Sequence, residues 1–342
     1  MKLLVIRFSA LGDVAMTVPV LYSLADQYPD LRITMLSKDF VAPLYERMPS
    51  NVRFKGIDLR RYQGLGGLYR LFRLLKQDRF DAVADLHDVL RSRIIRFFFR
   101  IVGVRAAHID KGRKEKRALV RSVNKRLKQL PTSFERYVAV LRKLGYPVGL
   151  HFRSIYGEEK GDADLFVSLA NVKQKKHWVG IAPFAAHAGK VLPQETVKEL
   201  IGQLLLSDDN RLFLFGGGEE ETAKLHEWAA DRPQVTVVAG KLKLNGELAL
   251  MSYLDVLVSM DSANMHLASL VGIPVVSVWG ATHPYAGFMG WNQCMAHAVQ
   301  VDLPCRPCSV FGNQPCLRKD YACLRRISVE MIMSKINKIL AG

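Results

Sequence analysis

Several charged side chains in this sequence lie in the loops or helix starts that follow short apolar runs, a position from which a side chain can act on a ligand. The first is Asp13, in the stretch RFSALGDV. A carboxylate between a strand and a helix is well placed to act as a general base. Asp13 and Ser9 are also good turn and helix N-cap residues, so position alone leaves both roles open. The stretch lacks the three-glycine spacing of a dinucleotide-binding loop, which argues against a nicotinamide cofactor.

Two strand ends in the second half of the chain carry a lysine and a glutamate. Lys190 lies in APFAAHAGKVLP, among small residues that let a backbone approach a ligand closely, and its ammonium would offset the charge of a departing pyrophosphate. A lone lysine in a loop is more often only solvated. Glu219 lies in FGGGEE at a predicted helix start, where it is either an acid favoured by the helix dipole or an acceptor for ribose hydroxyls.

The strongest local pattern is DSANMHLASL, which follows the apolar run DVLVSM. Asp261 ends the strand, and Ser262 and Ala263 open a helix whose free N–H groups suit a phosphate. His266 follows about one turn later, on roughly the same face. A purely structural role would make Asp261 an N-cap and His266 a half-buried histidine. Together with Lys190, the pattern favours an anion site.

Short apolar runs alternate with helix-length segments along the whole chain. The predicted strands are KLLVIRF, RITMLS, FDAVADL, WVGIAPF, RLFLFGG, QVTVVAG, DVLVSMD and IPVVSVWG. The predicted helices are 14–27, 65–77, 195–206, 219–230, 246–253 and 262–271. Because such strands between helices are typical of parallel sheets covered on both faces, the sequence predicts an α/β fold with two Rossmann-like, doubly wound parallel sheets. A ligand is then expected in a cleft between the carboxyl ends of both sheets.

The chain length and the polar stretch GEEKGDADLFVSLANVKQKK predict two domains. The first is expected at 1–160 and the second at 177–325, joined by a linker at 161–176. Residues 326–342 are expected to form a C-terminal helix that packs back on the first domain.

The excess of positive over negative charge lies entirely in the first half of the chain. The formal net charge is +17, and residues 1–160 hold 32 basic and 15 acidic side chains, whereas 161–342 hold 17 of each. The first domain is therefore expected to meet something anionic, such as nucleic acid, a membrane surface or an acidic substrate. A basic face that only aids solubility is the alternative.

Two further features concern the setting of the protein in the cell. The first apolar run is too short for a secretory signal, and no run approaches the roughly 18 residues that span a bilayer, so a cytoplasmic protein is expected. The run KGRKEKRALVRSVNKRLK carries nine basic residues and one acid. It is a candidate for peripheral contact with an anionic membrane or with an acceptor.

Four of the five cysteines lie close together near the C-terminus. Their spacing, Cys305-x2-Cys308-x7-Cys316-x6-Cys323, resembles a metal-ligand cluster more than a disulfide framework. Only one close pair is present, so reduced structural cysteines are the default expectation and a zinc site is the alternative.

These motifs, in this order and at roughly this spacing, resemble glycosyltransferase family 9, which includes the ADP-heptose:lipopolysaccharide heptosyltransferases. The resemblance runs over essentially the whole chain and rests on RFSALGDVAMTVPVLYSLADQYP, APFAAHAGKVLP, FGGGEE and DSANMHLASLVGIPVVSVWGATHP. It implies the GT-B fold, an acceptor bound by the N-terminal domain and a nucleotide sugar bound by the C-terminal one. An anionic, Kdo-bearing lipid A acceptor would meet the basic half.

The resemblance also implies a role for each matching residue. Asp13 would be the general base, Lys190 would contact the donor pyrophosphate or sugar, and Glu219 would hold the ribose. Asp261 would bind hydroxyls of the donor sugar, and Ser262, Ala263 and His266 would contact the phosphates. The acceptor contacts would come from Ser9, Gly12, Arg60, Arg61, Arg91 and Arg93, although each arginine could equally be a solvated helix-face residue.

This sequence departs from the family at two points that bear on the donor. Ser262-Ala263 stands where the family often has Thr-Gly, and Ala185 and Ala186 stand where Ser or Thr commonly precede the lysine. The resemblance implies a metal-independent, inverting transfer with no cofactor beyond the nucleotide sugar. The alternatives are another GT-B enzyme that uses a UDP-sugar and, from a different class, a basic nucleic-acid-binding protein. No nucleic-acid-binding module is recognised in the sequence, so no nucleic-acid partner is expected.

Overall fold

The computed structural model describes residues 1–172 and 177–341, and its chain divides into two compact units. Unit 1 contains Met1–Lys111 and Pro131–Ile155, and unit 2 contains Gly112–Leu130 and the described part of Tyr156–Gly342. This division differs from the expected boundary at residue 160. The segment Gly112–Leu130 joins unit 2 because Leu119 and Leu130 pack there with Ala286.

Unit 1 is built around one five-stranded parallel sheet. Helices and strands are numbered in chain order through both units. The strands of unit 1 are β1 (Lys2–Ile6), β2 (Arg32–Lys38), β3 (Val52–Ile57), β4 (Ala82–Asp85) and β5 (Arg105–His108), and its helices are α1 (Leu11–Ala15), α2 (Thr17–Gln27), α3 (Gly64–Lys76), α4 (Leu90–Ile101) and α6 (Ser133–Lys143). The strand order is β3-β2-β1-β4-β5, with Leu3 level with Ile33 on one side and with Ala82 on the other. The order reverses between β1 and β4, where ligands bind in open α/β sheets.

Alternation along β1 explains how this sheet is covered. Leu4 and Ile6 pack in one core cluster with Leu71 of α3 and Phe99 of α4. Leu3 and Val5 are equally buried and point to the opposite face, because successive strand side chains alternate. The apolar runs of the sequence therefore form a central strand that is buried on both faces.

Unit 2 repeats this architecture with a six-stranded parallel sheet. Its strands are β6 (His177–Ala182), β7 (Asn210–Leu214), β8 (Val235–Val237), β9 (Val256–Met260), β10 (Val275–Val278) and β11 (Ala298–Val299), and its helices are α5 (Arg113–Leu119), α7 (Gln194–Leu204), α8 (Gly218–Ala229), α9 (Leu244–Met251), α10 (Ala263–Leu270), α11 (Ala322–Arg325) and α12 (Val329–Leu340). The strand order β11-β10-β9-β6-β7-β8 reverses between β6 and β9. The two doubly wound parallel sheets confirm the predicted fold class.

Two expectations about connecting segments differ from the structure. The C-terminal helix α12 buries Ile332 and Ile336 in the core of unit 2, beside α7, β9 and β10, because its apolar stripe matches that core. Part of the expected linker at 161–176 is also folded into unit 2. Phe166 is fully buried and meets Trp178 and Tyr253 edge-on. Residues 173–176 of that linker lie outside the described residues.

Within residues 1–172 and 177–341, none of the helices combines the length and the apolar character needed to cross a bilayer.

Candidate functional site

Asp13 lies at the carboxyl edge of the unit 1 sheet, just after β1 and beside the point where the strand order reverses. It occupies the first turn of α1, and the backbone N–H of Ala10 donates to its Oδ2 at 3.2 Å. Asp13 therefore does stabilise the start of its own helix, as one of the two predicted roles requires. Ser9 is half-buried and Gly12 is buried in the same turn.

A buried arginine, Arg7, forms an ion pair with the Asp13 carboxylate. Arg7 Nη2 lies 2.6 Å from Asp13 Oδ2, and Arg7 Nη1 donates to the carbonyl oxygen of Leu86 at 2.7 Å. The hydroxyl of Tyr137 donates to the backbone oxygen of Asp13 at 3.1 Å. The Arg7 side chain is 9% exposed and that of Asp13 is 31% exposed, so the carboxylate reaches solvent while its cation does not. Arg7 ties the β1 loop to the β4 loop, and it was not among the predicted site residues.

The loop after β4 forms the other side of this edge. Asp85 is fully buried and accepts from the backbone N–H groups of His87 and Asp88 at 3.0 and 2.8 Å, and from Arg96 Nη1 at 2.8 Å. Burial, together with Arg7, lowers the pKa of His87 to about 3, so this imidazole is neutral at physiological pH. The loop beside Asp13 is thus fixed to buried Asp85 by several hydrogen bonds.

The four arginines predicted to contact an acceptor lie in three different situations. Arg93 is held by Asp88 through two parallel hydrogen bonds of 2.9 and 2.7 Å. Arg60 makes a similar contact with Asp58, and Arg61 lies 3.9 Å from that carboxylate, although both arginine side chains are more than four-fifths exposed. Arg91 is exposed at the start of α4. All four follow β3 or β4, and so lie at the same sheet edge as Asp13.

In unit 2 the structure brings two of the predicted donor residues into direct contact. Lys190 Nζ lies 2.9 Å from Asp261 Oδ2, and the Thr282 hydroxyl donates to the same carboxylate oxygen at 2.8 Å. The side chains of Lys190 and Asp261 are 14% and 5% exposed. Lys190 follows β6 and Asp261 follows β9, so the pair lies where the strand order of this sheet reverses. Thr282 follows β10 and was not predicted, because nothing local marks a threonine after a third strand.

The loops that carry these residues are held against a segment rich in cysteine. Gly312 has a φ of +74°, and a Cβ at this position would lie 2.7 Å from Cγ of Lys190. Any other residue at 312 would therefore displace the lysine stem as well as strain the backbone. Arg306 is buried and donates to the carbonyl oxygens of Trp279 and Thr282, both at 3.0 Å. Burial lowers the pKa of Arg306.

The helix that follows Asp261 is built as the sequence predicts. Ser262 is the N-cap of α10 in an extended conformation, and Ala263 is the first helical residue. His266 is buried one turn later. Because the first N–H groups of a helix lack intrahelical acceptors, this end carries a partial positive charge beside Lys190. Glu219 is exposed in the first turn of α8, after β7, at the same edge but without a contact to the Lys190–Asp261 pair among the described contacts.

The cysteine cluster does not form a metal centre in the described residues. Cys305, Cys308, Cys316 and Cys323 are free thiols, and across 1–172 and 177–341 no three His, Cys, Asp or Glu side chains are arranged to hold a metal ion. Burial raises the pKa of the Cys323 thiol to about 11, which keeps it neutral. The segment 305–323 instead packs beside the loops of the Lys190–Asp261 pair.

Known proteins resemble this chain over its whole length, in sequence and in fold. The chain is 27% identical to lipooligosaccharide heptosyltransferase 2 of Haemophilus influenzae, with 100% of both chains covered. Among solved structures, the ADP-heptose lps heptosyltransferase II of E. coli superposes with a TM-score of 0.73 at 20% identity, covering 100% of this chain and 99% of that one. The E. coli heptosyltransferase WaaC with ADP gives 0.70 at 19% identity, covering 99% and 100%. These structures confirm the GT-B fold.

A model of a whole protein family also matches this chain. The model of glycosyltransferase family 9 (heptosyltransferase) matches residues 68–315, which begin in α3 and run through the Lys190 loop and the Asp261 helix to beyond Cys305 and Cys308. This range is well over half of the chain. The protein therefore belongs to glycosyltransferase family 9 and is a glycosyltransferase.

Proposed function

We propose that this protein transfers a heptose from ADP-heptose onto the anionic inner core of lipopolysaccharide, either Kdo-lipid A or a heptosylated acceptor. The observation that carries this proposal is the Lys190–Asp261 pair at the switch point of the unit 2 sheet, beside the N-terminus of α10. A cation, a carboxylate and free helix N–H groups together suit a sugar diphosphate. The names of the relatives, one of which was solved with ADP, supply the nucleotide and the sugar.

The donor roles follow from the chemistry of each side chain. Lys190 neutralises the diphosphate, and the N–H groups at Ser262 and Ala263 donate to its oxygens, with His266 contacting the phosphates one turn later. Asp261 accepts from hydroxyls of the transferred sugar, and Glu219 accepts from ribose hydroxyls.

In the transfer step Asp13 acts as the general base. It takes the proton of the acceptor hydroxyl, whose oxygen forms a bond with the anomeric carbon while the bond from that carbon to the diphosphate oxygen breaks. The electron pair leaves with the diphosphate, where Lys190 and the α10 N-terminus stabilise the added charge. Attack from the face opposite the leaving group inverts the anomeric configuration. Arg7 positions the Asp13 carboxylate through its Oδ2.

The acceptor is assigned to the carboxyl edge of the unit 1 sheet. Ser9 and Gly12 lie beside Asp13, and Arg60, Arg61, Arg91 and Arg93 follow neighbouring strands of this sheet. Arginine suits phosphate and carboxylate groups because its planar fork donates two parallel hydrogen bonds. The strongly positive first half of the chain supports an anionic glycolipid as acceptor, and a location at the inner face of the cytoplasmic membrane, where the basic run 111–128 would face anionic lipids.

Replacing the base tests the reaction directly. We expect Asp13→Asn to retain the fold and the Ala10 contact, since the amide oxygen still accepts, but to lower the transfer rate by 10²- to 10⁴-fold. Asp26→Asn, an exposed aspartate on α2, is the matched control. The readout is heptose transfer from ADP-heptose to Kdo-lipid A, with and without EDTA. Transfer by wild type is expected to survive EDTA. Wild-type rates in Asp13→Asn would reduce Asp13 to a helix cap, and a strict Mg²⁺ requirement would contradict a metal-independent transfer.

A thermal-shift series tests the nucleotide. A ligand that binds only the folded state raises the melting temperature by mass action, so ADP is expected to stabilise the protein and UDP is not. Stabilisation by UDP alone would instead favour a UDP-sugar transferase of the same fold. The departures from the family at Ala185, Ala186 and Ser262-Ala263 would then reflect the different donor.

A further inference from the structure

Helices α3 and α4 of unit 1 expose an apolar surface that the donor and acceptor sites do not use. The exposed side chains, called here the α3–α4 surface, are between 41% and 74% exposed: Leu65, Tyr69, Leu90, Phe97, Ile101 and Val102. Single exposed apolar residues are ordinary, but a group of them on two adjacent helices marks an interaction site.

This surface is a second apolar stripe, separate from the one that faces the core. On α4, Ile95 and Phe99 are buried against the sheet, whereas Phe97 and Ile101 lie one turn apart on the outward side. Leu90 lies two turns before Phe97 on the same side. A helix that only covers a sheet needs one apolar stripe, so the outer stripe requires a second partner.

The charges around this surface select the kind of partner. Neither α3 nor α4 contains an acidic residue, whereas α3 contains two arginines and a lysine and α4 contains four arginines. All of these except Arg96, which pairs with Asp85 and Asp88 behind the surface, are exposed. A second copy of this chain would bring like charges together, so self-association does not suit the surface. A dissolved polyanion would leave Phe97 and Ile101 in water.

The side chains are arranged in the order that a bilayer interface requires. Tyr69 meets Phe98 edge-on with ring centroids 5.4 Å apart, and Phe98 meets Phe97 at 6.1 Å, so the aromatic rings run continuously outward. Arg73 and Lys76 line an open groove beside Tyr69 and Phe98. Aromatic rings at the headgroup level, with basic side chains beside them, are the pattern of interfacial membrane anchors.

We propose that the α3–α4 surface docks on an anionic lipid bilayer, with Phe97, Ile101 and Leu90 in the interface and Arg73 and Lys76 on lipid phosphates. Leu65 and Leu90 begin α3 and α4, and so lie at the sheet edge that carries Asp13. Docking here would therefore bring a bilayer next to the acceptor edge. This placement rests on the proposed function, in which the acceptor is itself a lipid of the membrane.

Vesicle binding tests this surface without using activity. The full-length protein is sedimented with vesicles of phosphatidylcholine alone or mixed with phosphatidylglycerol. We expect binding to the mixed vesicles only, weakened by salt, and at least tenfold weaker for Phe97→Ser/Ile101→Ser. Because each basic residue near an anionic surface contributes about a fivefold change, Arg73→Gln/Lys76→Gln is expected to reduce binding by more than tenfold.

Matched controls separate this surface from general effects of charge and apolarity. Leu206→Ser/Val167→Ser removes two apolar residues of unit 2 that are at least as exposed, and Arg326→Gln/Lys338→Gln removes two exposed cations there. Both controls are expected to bind like wild type. Unchanged binding of Phe97→Ser/Ile101→Ser would overturn the proposal, as would loss of binding only when the run 111–128 is neutralised. A wild-type dimer that Phe97→Ser/Ile101→Ser converts to monomers would assign the surface to a second copy.

A soluble acceptor keeps this proposal distinct from the proposed function. On a deacylated acceptor without vesicles, Phe97→Ser/Ile101→Ser is expected to transfer heptose at the wild-type rate. Absence of transfer by wild type, together with intact vesicle binding, would contradict the proposed reaction but not the proposed docking surface.

Discussion

Lys190 and Asp261 show how much a single contact decides at the residue scale. A carboxylate that is 5% exposed depends on its cation and on the Thr282 hydroxyl, because an uncompensated buried charge is strongly destabilising. The same lysine is assigned to the diphosphate of the donor. Binding would therefore exchange one anionic partner of Lys190 for another.

We expect Lys190→Met to lower the free energy of unfolding by about 3 kcal/mol, since it leaves Asp261 buried without its cation. The double variant Lys190→Met/Asp261→Asn should recover most of this loss, because the asparagine oxygen still accepts from Thr282. Urea denaturation measures both. A single variant as stable as wild type would show that the contact contributes little to the fold. A double variant as unstable as the single one would show that the loss does not come from the unpaired charge of Asp261.

His87 gives the pH dependence of stability at the residue scale. Burial, with Arg7 and Lys111 nearby, lowers its pKa from 6.5 to about 3. The folded state thus favours the neutral imidazole, so this contribution is complete above pH 6.5 and is lost as the pH falls towards 3. Wild type should lose about 2 kcal/mol from this group between pH 6.5 and 5.

The variant His87→Asn should flatten that part of the stability curve, with His177→Asn, an exposed histidine on β6, as its control. Denaturant melts at several pH values give the comparison. Equal slopes for His87→Asn and wild type would contradict this account. His283 of unit 2, whose pKa burial lowers to about 4, is present in all three proteins and sets the common background.

The residues that did and did not follow from the sequence differ in the kind of signal they leave. Lys190 and Asp261 each follow an apolar run, and a doubly wound sheet brings the ends of its central strands together, so their pairing was predictable from topology. Thr282 and Arg306 act through contacts made only after folding. Arg7 directly follows β1 but resembles any charged residue that ends a strand.

At the scale of elements, the central strands were predicted, whereas most of the edge strands were not. The edge strands β3, β5 and β11 were not predicted, whereas the edge strand β8 was predicted from QVTVVAG. The strand β3 carries Arg53 and Lys55 and is mostly half-buried, so it lacks the continuous apolar run of a strand that is covered on both faces. Helix α6 was also missed, although Thr132 and Glu135 form a capping box at its start.

The loop after β10 is held by one side chain from outside the loop, that of Arg306. Arg306 donates to the backbone oxygens of Trp279, Gly280 and Thr282, and so fixes the turn that carries the Asp261 partner Thr282. A buried guanidinium satisfies several carbonyl oxygens at once because its donors are fixed in a plane. Lysine offers three donors from a single nitrogen and does not reproduce this geometry.

We expect Arg306→Lys to fold but to raise KM for the nucleotide sugar about tenfold, with a smaller effect on kcat, because the turn carrying Thr282 is less well fixed. Steady-state kinetics with varied donor, and ADP affinity by calorimetry, give this split. Arg325→Lys, an exposed arginine on α11, is the control. A tenfold fall in kcat with KM unchanged would argue that Arg306 does not position the donor site.

For the whole molecule, the fold class and the family follow from the repeated strand–helix pattern and the motif order, while the path of the chain does not. The division into units depends on where Gly112–Leu130 packs, and that is decided by contacts with Ala286, Tyr285 and Phe288, more than 150 residues further along the chain. No local pattern in a basic segment reveals so distant a partner.

This excursion of Gly112–Leu130 has a consequence for synthesis on the ribosome. All five strands of unit 1 have been translated by residue 108, but the apolar side chains that receive Leu119 and Leu130 come only with residues 285–288. During most of translation the segment is therefore an undocked basic stretch, open to proteases. A fragment ending at residue 160 should be cut by trypsin within 112–130 faster than the full chain, in which Leu119 and Leu130 are docked. Equal cleavage of both would show that docking gives the segment no protection.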